Sequence, residues 1–281
     1  MQKSFLRETA GVIMRAVVVV LTIVMVIIFF SALYEVENKI SDGTCNVAVL
    51  PIEGTIVPFY GIGDLEMITT PETVESFMKA AEEDENIEAV LVEINSPGGT
   101  PVAAERIAKR LRNSDLPVVG MIGDVGASGG YMVAAATDYL FASAMSDVGS
   151  IGVNMSYVEE SEKNKEEGLT YVQLTSGKFK DIGSPNRPIT DEEKELLLSD
   201  LKIVHDEFVN LVANFRSLDK KQVEELADGS SMPGRKALEK SLIDAIGGRE
   251  EVRKYLAEKV LSKSDVNEIK FCEYKNPLLP F

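Results

Sequence analysis

The sequence is poor in the residue types from which zinc sites and catalytic triads are usually built. Its 281 residues include one histidine, two cysteines and no tryptophan. A zinc site of the usual kind needs several Cys or His ligands, and Cys45 and Cys272 are far apart in sequence. We therefore predict no metal site and no cofactor within one chain. A Ser-His-Asp triad would depend entirely on His205.

Basic residues are also scarce relative to acidic ones. The chain carries 29 Lys and Arg against 45 Asp and Glu, which gives a formal net charge of −16 at pH 7. Binding of a polyanion needs clustered Lys and Arg, so nucleic acid is not an expected partner. The composition, with 45% hydrophobic and 26% charged residues, is that of a globular protein with room for one sizeable core.

One long apolar run lies near the N-terminus. The chain carries no charge from Ala16 to Leu33, and a helix of that length nearly crosses the hydrocarbon layer of a membrane. A retained anchor is the favoured interpretation; a cleaved signal peptide and a buried core helix are the alternatives. The flanking charges favour a single-pass protein of the cell membrane with a cytoplasmic N-terminus and an extracytoplasmic body. Residues 1–34 carry a net charge of +2, which leaves −18 for that body.

The body alternates short apolar runs with amphipathic segments, a pattern that predicts an α/β fold. The apolar runs are rich in β-branched residues, as buried parallel strands are, and predict strands at 46–52, 88–94, 117–123, 138–142, 148–153 and 170–174. Helical spacing predicts helices at 71–83, 102–112, 130–136 and 191–215. The last of these has Thr190 as its N-cap and Glu193 in the position of a capping box.

Two glycine-rich turns follow predicted strands, at 95–99 (NSPGG) and 123–131 (GDVGASGGY). Glycines allow the backbone to approach a ligand closely, so such turns can offer N–H groups to a developing oxyanion. Ser128 lies where the second turn enters a helix, and it is either the N-cap of that helix or a nucleophile. Neither turn has the spacing of a phosphate-binding loop.

Four segments, in this order and at these spacings, resemble the signal peptide peptidase A family of membrane serine proteases: VLVEINSPGG, GASGGYMVAAATDYLFA, GSIGV and SGKFKDIGSP. This is peptidase family S49, in the Clp protease/crotonase superfamily. The resemblance runs from about residue 46 to 256, the length of the short form with one catalytic unit. It implies a β-β-α superhelical fold and a homo-oligomer that cleaves hydrophobic peptides such as cleaved signal peptides. The implied organisation is an anchor and cytoplasmic N-terminus (1–34), a linker (35–45), a protease domain (46–261) and a tail (262–281).

The resemblance also implies a role for each matching residue. Ser128 matches the nucleophile and Lys180 the general base of a Ser/Lys dyad. Gly129 matches one oxyanion-hole donor, and the other falls in the NSPGG turn, where Gly99 is preferred over Gly98. Ser150 matches a serine that helps to hold the lysine. A dyad of this kind needs no histidine, so we interpret His205 as a boundary residue on an amphipathic helix.

A Ser/Lys dyad works only if its lysine is neutral. The pKa of an ordinary lysine is about 10.4, and burial can lower it by roughly 3–5 units. We therefore predict that Lys180 is desolvated and that the neighbouring Asp181 points away from it, because a carboxylate would stabilise the ammonium. Lys178 is the alternative base.

Two other functions are compatible with parts of the sequence. One is a related membrane Ser/Lys protease that cleaves a stomatin-like partner. The other is a crotonase-fold acyl-CoA enzyme, or a non-catalytic scaffold, that uses the same glycine turns for binding. An acyl-CoA enzyme would be expected to face the cytoplasm, whereas the charges around residues 16–33 place the body outside.

Overall fold

The computed structural model describes residues 14–15, 17–29, 40–59 and 67–273. Residues 14–15 and 17–29 are helical, and their side chains are exposed. Within the described ranges, no helix combines the length and the apolar character needed to cross a membrane. The predicted span at 16–33 lies partly outside the described residues, as do residues 35–39 of the predicted linker.

The described residues form one nine-stranded sheet built on a parallel core. Its strands are β1 (Val47–Ile56), β2 (Ile68–Thr69), β3 (Ala89–Gly99), β4 (Val118–Ala127), β5 (Tyr139–Ala142), β6 (Asp147–Gly149), β7 (Ser231–Pro233), β8 (Ala245–Ile246) and β9 (Phe271–Cys272). The main order is β2-β1-β3-β4-β5-β8, with all neighbours parallel. β9 pairs with β1, while β6 pairs with the end of β4 and, antiparallel, with β7. The predicted α/β class with a parallel sheet is confirmed.

The central strands are apolar on both faces because each face packs against a different core. In β3, Val90, Val92 and Ile94 face the larger cluster, which includes the principal helices. Ala89 and Leu91 face a second, smaller cluster that includes the C-terminal helices. Two-sided burial explains why β1, β3 and β4 read in the sequence as continuous apolar runs.

Eight α-helices surround the sheet in the body of the chain that the structure describes. They are α1 (Pro71–Glu83), α2 (Pro101–Arg112), α3 (Gly129–Ala135), α4 (Ser161–Glu166), α5 (Asp191–Arg216), α6 (Lys220–Leu226), α7 (Gly234–Glu239) and α8 (Arg249–Tyr255). The predicted helices match α1, α2, α3 and α5 within one residue at each end. The predicted capping box of α5 is also present: Glu193 N–H donates to Thr190 Oγ1 at 3.2 Å, and Thr190 N–H donates to Glu193 Oε2 at 2.9 Å.

Several strand predictions differ from the structure. β1, β3 and β4 run four or five residues past their predicted ends, so the NSPGG segment at 95–99, predicted as a turn, is the last part of β3. Two other predictions differ more. The strand predicted at 148–153 is the short β6, which ends at Gly149 because Gly149 and Ser150 both have positive φ, at 103° and 50°. The strand predicted at 170–174 is wrong: these residues are exposed and form no strand. A short run of β-branched and aromatic residues in the sequence does not show whether a partner strand exists beside it.

A disulfide bond joins Cys45 to Cys272, with an S–S distance of 2.10 Å and 227 residues of sequence separation. Cys45 precedes β1 and Cys272 lies in β9, which pairs with β1 through Ala48. The bond therefore links the two ends of the described body and fixes the last strand against β1.

Candidate active site

Ser128 occupies a sharp turn between β4, which ends at Ala127, and α3, which begins at Gly129. Its backbone has φ 52° and ψ −125°, a region that a residue with a side chain rarely adopts. The side chain makes no capping hydrogen bond to α3. Capping therefore does not explain this serine, and a strand-turn-helix setting of this kind can present a hydroxyl group to a ligand.

The NSPGG segment, which forms the end of β3 and which we call the NSPGG turn, lies directly against Ser128. A Cβ built on Gly98, whose φ is +101°, would lie 2.7 Å from the Gly129 nitrogen and 2.9 Å from Ser128 Cβ. A Cβ built on Gly129 would lie 3.3 Å from the Gly99 nitrogen. Only glycine permits this close approach, which places two backbone N–H groups beside Ser128.

Two hydrogen bonds of the Ser96 side chain fix the conformation of this turn. Ser96 Oγ accepts a hydrogen bond from Gly98 N–H at 3.1 Å and donates one to the Gly54 carbonyl oxygen at 2.6 Å. Ser96 itself is fully buried, whereas Gly99 is exposed. The N–H of Gly98 is therefore already committed, which leaves Gly99 as the better-placed donor toward a ligand.

A cavity of about 110 Å³ opens at Ser128. Apolar side chains from four parts of the chain form most of its lining, together with three glycines. The lining residues are Gly99, Pro101, Ser128, Gly129, Met132, Gly152, Val153, Asn154, Val204 and Phe208. This cavity can hold a small apolar side chain next to a serine hydroxyl.

Lys180 does not reach this cavity. It lies in a turn in which its N–H donates to the Gly177 carbonyl oxygen at 3.1 Å, and its side chain is exposed. Lys180 is not among the lining residues, and its ammonium has no hydrogen-bond or ion-pair partner in the described part of the chain. The single chain therefore does not bring Lys180 to Ser128 and does not provide the desolvation that the sequence predicted.

The two neighbours of Lys180 differ from it in their partners. Lys178 Nζ forms an ion pair with Glu192. Asp181 accepts hydrogen bonds from the Tyr171 hydroxyl at 2.9 Å and from Arg187 Nε at 3.1 Å. The Asp181 carboxylate is therefore engaged by Tyr171 and Arg187, and among the residues that the structure describes it forms no ion pair with Lys180.

Ser150 and His205 have other partners. Ser150 Oγ donates to the Gly229 carbonyl oxygen at 3.0 Å, and no hydrogen bond joins Ser150 to Lys180. His205 lies half-buried on α5, with Nε2 at 2.9 Å from the Ala227 carbonyl oxygen. His205 is a boundary histidine, as predicted.

Glu193 and Arg187 are the charged residues of this region that the sequence did not single out for function. Glu193 is buried and hydrogen-bonded to Arg187, and Arg187 lowers the pKa of its carboxyl to about 2. The capping box predicted the place of Glu193 at the start of α5. No motif in the sequence indicated that Arg187 would meet it there.

Comparison with known proteins gives the chain a family. The model of peptidase family S49 matches residues 110–263. A candidate protease of Methanocaldococcus jannaschii is 38% identical over 177 residues, which cover 62% of this chain and 57% of that relative. A candidate signal peptide peptidase SppA of Enterococcus faecium is 32% identical over 264 residues, which cover 90% of this chain and 74% of that relative.

One of the relatives is much longer than this chain. Protease 4 of Haemophilus influenzae is 29% identical over 221 residues, which cover 78% of this chain but 34% of that relative. All three relatives are named as proteases or peptidases, and the S49 match spans more than half of the chain. The chain therefore belongs to peptidase family S49, the family of signal peptide peptidase A, and is a protease.

Proposed function

We propose that this protein is a membrane-bound serine endopeptidase that degrades cleaved signal peptides and other hydrophobic peptides through a Ser128/Lys180 dyad. The observation that carries the proposal is Ser128, which sits uncapped in a strained turn at the mouth of an apolar cavity. Strain of this kind persists where the surrounding structure enforces it, and it is common at active sites.

In the proposed reaction, neutral Lys180 takes the proton of Ser128 Oγ as the oxygen attacks the peptide carbonyl. The N–H groups of Gly129 and Gly99 hold the tetrahedral oxyanion. The protonated lysine then gives its proton to the leaving amine. Water, deprotonated by the same lysine, hydrolyses the acyl-enzyme and restores the serine.

The different partners of the two lysines support Lys180 as the base. Lys178 is engaged in an ion pair with Glu192. Lys180 has no such partner, and the one carboxylate adjacent to it in sequence, on Asp181, is engaged elsewhere.

We further propose that the dyad is completed between copies of the chain in a homo-oligomer. The residues around Lys180 expose apolar side chains that a soluble monomer would not be expected to present together. They are Met155, Tyr157, Val158, Leu169, Tyr171, Val172 and Leu174, which we call the apolar arm. Contact between this arm and a neighbouring copy would cover these side chains and remove water from Lys180. Ser150, which follows the Gly149 that is bonded to Ser128, would then help to hold the incoming lysine.

The proposal extends to the substrate, the fold and the location of the protein. The cavity at Ser128 is lined by Met132, Val153, Val204 and Phe208, which favours small or apolar substrate side chains. We assign the sheet to the crotonase/Clp-protease superhelical fold. The apolar run at 16–33 anchors the protein with its body outside the cytoplasm. The disulfide bond supports this location, because such bonds persist mainly in oxidising compartments.

The test compares the full-length protein with its Ser128→Ala, Lys180→Ala and Lys178→Ala variants in hydrolysis of a hydrophobic peptide. We expect Ser128→Ala and Lys180→Ala each to lose about 10³-fold or more in kcat/KM, and Lys178→Ala to stay within a few-fold of the wild type. Wild-type rates in Ser128→Ala would refute the serine mechanism. Loss in Lys178→Ala with none in Lys180→Ala would move the base to Lys178.

A further inference from the structure

Arg187 uses all five of its N–H donors within this region. Nε donates to Asp181 Oδ2 at 3.1 Å, and Nη2 donates to the Asp181 carbonyl oxygen at 3.0 Å. Nη1 and Nη2 donate to the two carboxylate oxygens of Glu193 at 2.9 Å and 2.6 Å. Nη1 also donates to the Pro188 carbonyl oxygen at 3.2 Å. A guanidinium has five donors in a fixed plane, so this site is fully matched to arginine.

These bonds connect the turn that carries Lys180 to the rest of the fold. Asp181 follows Lys180 directly, and Arg187 holds both its side chain and its carbonyl oxygen. Glu193 is fixed in turn at the start of α5 by the capping box with Thr190. The side chains of Arg187 and Asp181 are about one-fifth exposed and that of Glu193 is 5% exposed, so the connection is largely shielded from water.

The same bonds determine what Asp181 can do to Lys180. Both carboxylate oxygens of Asp181 are occupied, one by Arg187 and one by the Tyr171 hydroxyl. A carboxylate released next to Lys180 would favour the ammonium form and would oppose proton uptake from a serine. The charged and titratable groups that hydrogen bonds and ion pairs join at this turn include Tyr171, Lys178, Asp181, Arg187, Glu192 and Glu193.

We propose that Arg187 is a positioning residue for Lys180: it ties the Lys180 turn to the start of α5 and keeps the Asp181 carboxylate away from the lysine. This inference rests on the proposed function, in which Lys180 is the base. Arg187 touches neither Ser128 nor the cavity, and its effect on the reaction passes entirely through Asp181 and the backbone of the turn.

The experiment measures Lys180 in two ways in the full-length protein. The first is the pH profile of kcat/KM on a hydrophobic peptide. The second is the pH dependence of acetylation of the Lys180 amine by acetic anhydride, followed by mass spectrometry, which needs no enzyme activity. The variants are Arg187→Ala, Arg187→Lys and the double variant Arg187→Ala with Asp181→Asn.

Arg249→Ala is the matched control. Arg249 makes two hydrogen bonds to Glu93 and two to Glu273, so its loss removes an ion-pair network of similar size far along the chain from Lys180. We expect Arg187→Ala and Arg249→Ala each to lower the thermal stability of the protein. Only a variant of Arg187 should change the behaviour of Lys180.

In Arg187→Ala we expect the alkaline-rising limb of kcat/KM and the midpoint of Lys180 acetylation to move up by about one pH unit. Arg187→Lys should resemble Arg187→Ala, because an ammonium cannot reproduce the five-donor fork. Adding Asp181→Asn should reverse the shift in both readouts. Arg249→Ala should leave both where they are in the wild type.

The outcomes separate this inference from the proposed function. If Lys180→Ala is inactive but Arg187→Ala leaves the pH limb and the acetylation midpoint unchanged, the inference is overturned and the dyad stands. If Lys180→Ala is fully active, the dyad fails, and a shift of the acetylation midpoint would still establish the control of Asp181 by Arg187. Equal shifts in Arg187→Ala and Arg249→Ala would reduce Arg187 to a general stabilising role and overturn the inference.

Discussion

The backbone N–H of Ser128 donates a hydrogen bond of 2.8 Å to the carbonyl oxygen of Gly149. This bond ties the candidate nucleophile to the end of β6, where the chain turns sharply through Ser150. Ser128 and Ser150 both have positive φ, at 52° and 50°, so two adjacent turns are strained together. The position of Ser128 is therefore fixed from the sheet side as well as by helix α3.

The NSPGG turn should tolerate no side chain at Gly98. In Gly98→Ala, the new Cβ would meet the Gly129 nitrogen at 2.7 Å and would force a φ of +101° on an alanine. We expect displacement of the proposed oxyanion donors and a fall in kcat on the order of 10²-fold. Steady-state kinetics on a hydrophobic peptide would measure it.

Gly168→Ala is the control for strain alone. Gly168 also has a positive φ, of 72°, but a Cβ there would meet nothing within 4 Å. A kcat near that of the wild type is expected for this variant. An equal loss in both variants would mean that backbone strain, and not the contact beside Ser128, lowers the rate.

The Cys45–Cys272 bond should be a major source of stability for the body. It closes a loop of about 227 residues, and the chain-entropy relation gives roughly 5 kcal/mol for a loop of that size. We expect Cys45→Ser, Cys272→Ser and the reduced wild type to unfold at the same, lower denaturant concentration. Denaturant unfolding with and without reductant measures this, and an unchanged midpoint would show that the bond does not constrain the unfolded chain.

The attachment of the Lys180 turn to α5 should fail in acid. The folded pKa of Glu193 is about 2, below its ordinary value of 4.5, because Arg187 and Thr190 hydrogen-bond the carboxylate. The stabilisation is therefore fully present above pH 4.5 and is lost as the pH falls from 4.5 toward 2. Hydrogen exchange at 177–187, corrected for intrinsic pH effects, should rise across this window.

Glu193→Gln removes the carboxylate but keeps the shape of the side chain. This variant should show fast exchange at 177–187 already at pH 6, with little further change on acidification. A wild-type pH response in Glu193→Gln would assign the acid opening to another group.

The apolar arm should be required for assembly. Leu174 is 92% exposed, and Leu174→Asp places a charge on the surface that we assign to the neighbouring copy. We expect this variant to dissociate and to lose peptide hydrolysis with it. Met145 is 89% exposed but lies outside the arm, so Met145→Asp should retain both. Sedimentation of the full-length protein in detergent measures the oligomer, and an unchanged oligomer in Leu174→Asp would refute the role of the arm.

Much of the fold was predictable because buried parallel strands and capped helices leave local patterns. β1, β3 and β4 are apolar runs in the sequence. The capping-box residues Thr190 and Glu193 indicated where α5 begins. The paired segments of two or three residues, β2, β7, β8 and β9, were not predictable, since their pairing depends on distant parts of the chain. The strand predicted at 170–174 failed for the same reason: the apolar residues are present, but no strand of the described residues pairs with them.

The features of the candidate site also fall into those that local sequence predicts and those that depend on the fold. The place of Ser128 between a strand and a helix follows from local sequence, and so does the proximity of Gly129. Other contacts of the site form only when the chain has folded. They are the hydrogen bond of Gly98 N–H to Ser96, the bonds of Arg187 to Asp181 and Glu193, and the disulfide bond between Cys45 and Cys272. The exposure of Lys180 could not be predicted from the sequence either. Desolvation of a side chain depends on what packs against its turn and not on the sequence of the turn itself.

The most direct test of the Ser128/Lys180 dyad is the rate at which a fluorophosphonate phosphonylates Ser128, followed by peptide mapping of the full-length protein. Attack of Ser128 Oγ on phosphorus with loss of fluoride requires a base for the serine proton, so labelling reports both members of the dyad. We predict a single adduct on Ser128 in the wild type and in Lys178→Ala, with labelling at least about 10²-fold slower in Lys180→Ala. An adduct on another residue, or equal labelling of Ser128 in Lys180→Ala, would contradict the dyad.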